Sequence, residues 1–138
     1  MIEFSYENDF IIPNEEHFIS WIKKIVTSEG KTLGDLLFVF CNDDFLLELN
    51  IAHLQHDTLT DILTFDYCVG DELHGDIFIS TERVKDNAKD FCVSFDNELL
   101  RVIAHGVLHL CKYNDKSDID TVLMRAKESE KMTMYKNL

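Results

Sequence analysis

The segment around which this chain is organised spans residues 101–115 and reads RVIAHGVLHLCKYND. It contains two histidines, His105 and His109, four positions apart. In an α-helix, residues at i and i+4 lie on one face, about 5–6 Å apart, which is metal-ligand spacing. Asp115 follows six residues after His109, and a turn beyond the helix end could fold its carboxylate back toward both rings. Three protein ligands and one open position would make a catalytic zinc site.

Helical periodicity separates the two histidines from the expected core face of this helix. At 100° per residue, one side is apolar and consists of Leu99, Ile103, Gly106, Val107 and Leu110. The histidines fall on a separate stripe, which they share with Glu98, Arg101 and Val102. Glycine inside a helix costs about 1 kcal/mol relative to alanine. The place of Gly106 on the apolar side therefore predicts a close approach by another backbone.

The histidine spacing alone leaves two interpretations open. His105 and His109 could bind a metal, or they could be hydrogen-bonded polar residues at a sheet edge. Zinc proteases carry His-Glu-x-x-His, in which the glutamate is the general base. Gly106 occupies that glutamate position here, so a protease of this mechanism would lack its base.

Length and charge restrict the class of protein. With 138 residues the chain is near the typical domain size, and we expect a single domain over residues 1–138. The net charge of −13 argues against a general nucleic-acid coat, because such coats bind phosphates through lysine and arginine. Ten of the 13 basic residues lie in 61–138, so any contact with a polyanion should be local. Without a long apolar run or a targeting segment, we expect a cytoplasmic protein with no membrane partner.

The cysteines do not form a recognisable metal or redox motif. Cys41, Cys68, Cys92 and Cys111 are widely spaced and include no Cys-x-x-Cys pair. In a reducing compartment, we expect them to be small buried apolar residues.

Hydrophobic patterns predict four short strands and about five helices. The strands are expected at 2–6, 36–41, 62–67 and 77–79, with the last two joined as an antiparallel hairpin through a turn at 70–75. The helices are expected to begin at Asn14, near Asn42, at Ser80 or Thr81, at Ser94 and at Ser117. This order predicts an α+β fold in which helices cover a small mixed four-stranded sheet, with the histidine helix facing a cleft.

Three segments together resemble the YbeY family of bacterial ribosomal-RNA maturation endoribonucleases. Residues 105–115, HGVLHLCKYND, resemble its signature HGxLHLxGYDH. Leu49-Asn50 followed by 60–65, TDILTF, resembles its LN…TDVLSF segment, and 75–80, GDIFIS, resembles its GDIxIS strand. The match covers roughly residues 36 to 128 in the family's order.

The resemblance implies a metal-dependent, single-strand-specific endoribonuclease that matures the 3′ end of 16S rRNA and takes part in ribosome quality control. Its partners would be single-stranded RNA, rRNA and the small ribosomal subunit. One Zn²⁺, or another divalent ion, would be bound by His105, His109 and Asp115. Candidate substrate contacts are Arg101, Lys112, Thr60 and Asp61, although Arg101 could equally form a solvated ion pair with Glu98. No residue identifies itself as the general base, and the oligomeric state stays open.

The chain departs from the family pattern at four positions, of which one is Asn114 in place of an aspartate. Asp115 replaces the third histidine, Lys112 replaces a glycine, and Leu54 replaces an arginine. Carboxylate oxygen binds zinc at about 2.0–2.2 Å, close to imidazole nitrogen, so His-His-Asp still fits the metal and could admit other divalent ions. Leu54 cannot hold a phosphate, and the flanking His53 and His56 are expected to be exposed loop residues.

Two other functions stay open from the sequence. Leu54 and the net acidity favour a ribosome-assembly binding factor with a structural metal and little or no nuclease activity. A third possibility is an unrelated metal hydrolase acting on a small substrate.

Overall fold

A computed structural model describes residues 1–54 and 60–138 of the chain, with only the backbone described for residue 54. The strands in these ranges are β1 Ile2–Tyr6, β2 Thr32–Cys41, β3 Ile62–Asp66 and β4 Glu72–Ser80. The helices are α1 Glu15–Ser28, α2 Asp43–Leu49, α3 Thr81–Asp90, α4 Phe95–Leu110 and α5 Asp118–Lys136, and a π-helical segment, Asn50–Leu54, continues α2. None of the helices in the described ranges is long and apolar enough to cross a membrane.

The four strands form one mixed sheet in the order β1-β2-β4-β3. β2 pairs in parallel with both β1 and β4, and β3 pairs with β4 in antiparallel fashion. A tight loop can join only antiparallel neighbours, whereas parallel neighbours need a longer crossover. The predicted α+β class, the mixed four-stranded sheet and the antiparallel hairpin are therefore confirmed.

Two strands begin earlier than their apolar runs predicted. β2 starts at Thr32 and β4 at Glu72, and these two residues are partners across the parallel pair. A register shift between Leu33 and Leu36 takes up the intervening residues of β2. Gly75, assigned to a turn from the sequence, lies inside β4, where a Cβ atom would come within 2.8 Å of the Phe65 carbonyl oxygen. This glycine marks a close approach between strands rather than a loop.

Serine caps fix the starts of three helices. The Ser80, Ser94 and Ser117 hydroxyls each accept a hydrogen bond from the backbone N–H three residues later, which satisfies one of the free donors at a helix N-terminus. Asn14 is at the N-cap of α1 as predicted, but it lacks the side-chain hydrogen bond that such a cap usually makes. Its φ of 53° is left-handed.

Helix α4 packs along the sheet through the face that periodicity predicted. Its apolar side is buried together with the interior of β2 and β4. A Cβ on Gly106 would lie 2.9 Å from Ile62 Cδ1 and 3.0 Å from Ile77 Cγ2. The expectation of a backbone neighbour is therefore wrong: side chains of the sheet fill this space, and they bring β3 and β4 up to the histidine helix.

The cysteines divide into two groups. Cys41 and Cys111 are buried as predicted, whereas Cys68 is half-buried and Cys92 is exposed. Cys92 follows the end of α3 with a φ of 56°, and this helix terminus places it at the surface. The expectation of four buried cysteines is wrong for Cys92 and only partly met for Cys68.

Candidate metal centre

Helix α4 presents both histidines on one partly exposed stripe. The ring centroids of His105 and His109 are 4.5 Å apart, with their planes nearly perpendicular. Both rings are half-buried, whereas their neighbours on the opposite side of the helix are in the core. Burial, together with the neighbouring His105, lowers the pKa of His109. A lowered pKa keeps this imidazole neutral near pH 7, which is the form that binds metals.

The end of α4 reverses the chain through a hydrogen-bonded turn. The Lys112 N–H donates to the His109 carbonyl at 2.9 Å, and the Tyr113 N–H donates to the Leu108 carbonyl at 3.1 Å. This is the Schellman pattern, which requires a left-handed residue after the helix. Lys112 is that residue, with a φ of 78°. The turn sends the chain back toward the histidine stripe.

This reversal brings Asp115 to the two imidazoles. Its Oδ2 atom lies 3.3 Å from His105 Nε2 and 3.4 Å from His109 Nε2. One potential ligand atom from each of the three residues lies within 4.8 Å of the others. The sequence anticipated this set of residues, and the structure brings all three together.

The charges around the three residues fit a cation. Among residues 1–54 and 60–138, the cluster that includes His105 contains the four carboxylates of Asp61, Glu98, Asp115 and Glu128 and the two guanidinium groups of Arg101 and Arg125. The carboxylates of this set outnumber the guanidinium groups in a partly buried place, where unpaired negative charge is unfavourable. Two nitrogen donors and one carboxylate oxygen are also a ligand set that zinc accepts. The residues present therefore fit a divalent metal.

Glu128 of α5 is a residue of the centre that sequence reasoning missed. Its Oε2 atom lies 2.6 Å from His105 Nδ1, and its side chain is only 2% exposed. Burial alone would raise its pKa, but the hydrogen bond with His105 and the charge of Arg101 outweigh this effect and lower the pKa of Glu128. An ionised carboxylate at Nδ1 favours the tautomer whose free Nε2 faces Asp115. The one signal in the sequence was a charged residue on the buried side of α5, where an apolar residue is usual.

Arg101 is held by carboxylates on three sides. Its guanidinium donates to Glu98 at 2.9 and 2.5 Å and lies 3.4 Å from both Asp61 and Glu128. The ion pair with Glu98 that we considered is present, but it is buried rather than solvated. The Arg101 side chain is 16% exposed and that of Glu98 only 2%, because residues of α5 and of the start of β3 surround them.

Two grooves meet at the candidate metal centre. Both are lined by Thr60, Asp61, Ile62, His105 and Asp115. The first, the arginine groove, encloses about 370 Å³ and continues past Arg83, Phe91, Arg101 and Arg125. The second, the β3 groove, encloses about 530 Å³ and continues past Leu63, Thr64, Asp66 and Lys116.

The other predicted residues divide between these grooves and their surroundings. Thr60 and Asp61 line both grooves, as expected for cleft residues. Lys112 lies outside both, and its ammonium group pairs with Asp66 at 2.6 Å. His53 is exposed as expected, although it lies in the π-helical segment and packs edge-on against Phe65. The expectations for His56 and for the Leu54 side chain fall outside the described residues.

The chain is similar to known proteins that share one family description. The family model described as "Endoribonuclease YbeY" matches residues 3–136. A Flavobacterium johnsoniae protein with the same description is 55% identical over 135 residues, which cover 98% of this chain and 97% of that protein. A Bacteroides thetaiotaomicron protein, described likewise, is 48% identical over 114 residues and 83% of each chain.

A solved structure supports the fold. The solution structure of TM1509 from Thermotoga maritima is similar with a TM-score of 0.68 and 26% identity, over 98% of this chain and 89% of that one. The match covers nearly the whole chain, including both ends of the sheet and the helix that carries the histidines.

Proposed function

The chain belongs to the YbeY family of endoribonucleases, and on this basis we propose that it is a metal-dependent endoribonuclease specific for single-stranded RNA. Its proposed role is the maturation of rRNA at the 3′ end of 16S rRNA, together with ribosome quality control. Its proposed partner is the small ribosomal subunit, its location the cytoplasm, and its working unit one domain of residues 1–138.

The observation that carries this proposal is the position of the candidate metal centre where two grooves meet. An exonuclease needs to hold its substrate on one side of the reacting phosphate, whereas an endonuclease must let the strand continue on both sides. From His105 and Asp115, the arginine groove continues past Phe91 and Arg101, whereas the β3 groove continues past a different set of residues that includes Thr64 and Asp66. This arrangement suits internal cleavage of a strand that passes through both grooves.

The proposed metal ligands are His105, His109 and Asp115, with zinc as the expected ion and another divalent metal as an alternative. A bound divalent cation supplies a water of lowered pKa and neutralises charge on the attacked phosphate. Glu128 holds the His105 ring in the orientation that directs Nε2 toward Asp115. We assign no general base.

The proposed substrate contacts are Thr60, Asp61, Arg101 and Lys112. Thr60 and Asp61 lie where the grooves join, so they would be close to the reacting phosphate. Arg101 faces the arginine groove but is held by carboxylates, and its main effect on RNA would be to offset their charge. Lys112 would act from outside the grooves as a screened surface charge.

The test is cleavage of a single-stranded rRNA fragment labelled at both ends. We expect the Zn²⁺-loaded protein to produce internal cuts, seen as matched fragments from both labels, and to leave a duplex of the same sequence intact. Chelation of the metal and His109→Ala should each abolish the cuts. His17→Ala on α1 is the matched control, because His17 packs against Tyr135 rather than against the centre.

One observation favours a second function, the ribosome-assembly binding factor with a structural metal. All three arginines of the arginine groove are already paired with carboxylates: Arg83 with Asp43 at 2.9 Å, Arg101 with Glu98, and Arg125 with Glu128 at 3.4 Å. A protein that binds RNA without cutting it would show equal residual cleavage for wild type and His109→Ala while both keep the same RNA affinity. Turnover of a small phosphodiester without RNA affinity would instead indicate an unrelated hydrolase.

A further inference from the structure

The arginine groove contains an aromatic side chain that does not pack into the hydrophobic core. Phe91 follows the last residue of α3, and this residue is 52% exposed. The buried residues of α3 are Val84 and Ala88, and in the described part of the chain Phe91 belongs neither to the core nor to an aromatic pair. Exposing a large apolar ring forgoes burial energy. A ring left in this position is therefore available to a ligand.

The backbone holds Phe91 in place even though its ring is exposed. The Cys92 N–H donates to the Lys89 carbonyl at 3.2 Å, and the Val93 N–H donates to the Ala88 carbonyl at 3.0 Å. This turn uses the left-handed conformation of Cys92. These hydrogen bonds close the end of α3 in a Schellman pattern, so the ring projects from a fixed point on the groove wall.

Arg125 is the most exposed cation that lines the same groove. Its side chain is 54% exposed, and one guanidinium nitrogen lies 3.4 Å from Glu128 Oε1, which is its only hydrogen bond or ion pair within residues 1–54 and 60–138. The Arg83 and Arg101 side chains are 25% and 16% exposed and are engaged by nearer carboxylates. Arg125 therefore keeps most of its N–H donors free for an external anion, and guanidinium binds phosphate well.

A free aromatic face and a free guanidinium in one groove match the two parts of a nucleotide. Bases of single-stranded nucleic acid stack on aromatic side chains, while cations follow the backbone phosphates. The volume of about 370 Å³ lies within the range of sites for small ligands. His105 and Asp115 line the same groove, so a nucleotide bound here would neighbour the candidate metal centre.

We propose that Phe91 and Arg125 form a subsite for one nucleotide of single-stranded RNA beside the metal centre, with the base stacked on the ring and a phosphate bound by the guanidinium. The inference rests on the proposed function, because it supplies that function with a substrate contact. The subsite accepts any base, since every base has a π-face. It rejects duplex RNA, whose bases are already stacked on each other.

The test measures binding of a fluorescein-labelled single-stranded oligonucleotide by anisotropy, with the protein in EDTA so that binding is separated from cleavage. For Phe91→Ala we expect a loss of roughly tenfold in affinity, within the range that base stacking contributes. Phe91→Tyr should retain the affinity of the wild type, and Phe91→Leu should not. Tyr67→Ala is the matched control, because Tyr67 is a similarly exposed aromatic residue outside both grooves.

The salt dependence of binding tests the guanidinium separately. Removing one phosphate contact to a single strand should reduce the slope of log affinity against log salt concentration by about 0.7. We expect this reduction for Arg125→Met but not for Phe91→Ala, nor for Lys24→Met, which removes an exposed cation of α1. An unchanged slope for Arg125→Met would overturn its assigned role.

A tryptophan at the subsite reports stacking directly. In Phe91→Trp, fluorescence from residue 91 should be quenched by RNA but not by an oligonucleotide with abasic sites, whereas the native Trp21 is buried and shielded. If wild type binds RNA but Phe91→Ala binds equally well, the subsite is wrong and the proposed nuclease function stands. If wild type binds no single-stranded RNA even with Zn²⁺ added, both proposals fail.

Discussion

Two buried charges on α5, three residues apart, have opposite surroundings. Glu128 is 2% exposed and Lys131 is 1% exposed. Lys131 belongs to a cluster with Glu29, Lys127, Glu130 and the Tyr113 hydroxyl, which we call the Lys131 cluster. Here two ammonium groups face two carboxylates. The charges balance within the protein, and the cluster joins α5 to the end of α1.

The surroundings of Glu128 do not balance in this way. The Glu128 cluster comprises the four carboxylates and two guanidinium groups around His105, so its carboxylates are in excess within the part of the chain that the structure describes. It borders two grooves, whereas the Lys131 ammonium lies against Ser28 and Glu29 in the interior. The difference separates a structural ion-pair cluster, whose charges are balanced, from a cluster whose excess of carboxylates is compatible with a bound cation.

The largest effect on folding stability is expected from breaking the Lys131 cluster. Glu29→Gln leaves the buried Lys131 without its nearest carboxylate, and removing one partner of a buried pair costs about 3 kcal/mol or more. Urea denaturation should show this loss of unfolding free energy. Zinc affinity, measured by competition with a chelating dye, should change less than threefold. A large loss of zinc affinity in Glu29→Gln would contradict the separation of the two clusters.

Acid should destabilise the protein by protonating the carboxylate of Glu29. Burial would raise the pKa of Glu29, but hydrogen bonds from Lys131, Tyr113 and Lys127 outweigh it and lower this pKa from 4.5 to about 2. Because the folded state releases this proton more readily than the unfolded state, the stabilisation is present above pH 4.5. It is lost as the pH falls through 2, by about 3 kcal/mol. Wild type should lose this much more stability than Glu29→Gln over that interval.

A substitution in the Glu128 cluster should affect metal binding more than folding. Glu128→Gln keeps the shape of the side chain but removes the charge that orients His105, and losing such an outer partner typically weakens metal binding about 10- to 100-fold. A dye competition titration with Zn²⁺ measures this loss. Glu16→Gln, an exposed substitution on α1, is the control. Equal zinc affinity for Glu128→Gln and Glu16→Gln would remove Glu128 from the centre.

The smallest expected effect on folding stability comes from the turn that joins the two clusters. Tyr113 donates to Glu29 of the Lys131 cluster, and Asp115 faces the histidines of the Glu128 cluster. Between α4 and both contacts lies Lys112, a left-handed residue where the family has glycine. Because left-handed backbone costs a residue with a Cβ about 1 kcal/mol more than glycine, Lys112→Gly should be more stable than Lys112→Ala by that amount. Comparing these two variants removes the Asp66 ion pair from the result, and equal melting temperatures would contradict the assigned strain.

The sequence predicted those features that depend on local pattern. The helical period placed His105 and His109 on one stripe and the core residues on another, and serines marked three helix starts correctly. The sequence did not predict the strand ends that depend on pairing with a distant strand. β2 and β4 extend beyond their apolar runs because each supplies the other's hydrogen-bond partners, and no local period records such a partner.

The sequence by itself therefore determined the α+β class, the histidine-bearing face of α4 and the family resemblance, because each depends on residue types at short, fixed spacing. Only the tertiary structure decided that Glu128, 23 positions from His105, orients its ring. It also decided that Arg101 is enclosed by carboxylates and that two grooves meet at the histidines. These contacts join residues from different helices and strands, and their distances are set by how the elements pack rather than by the spacing within any one of them.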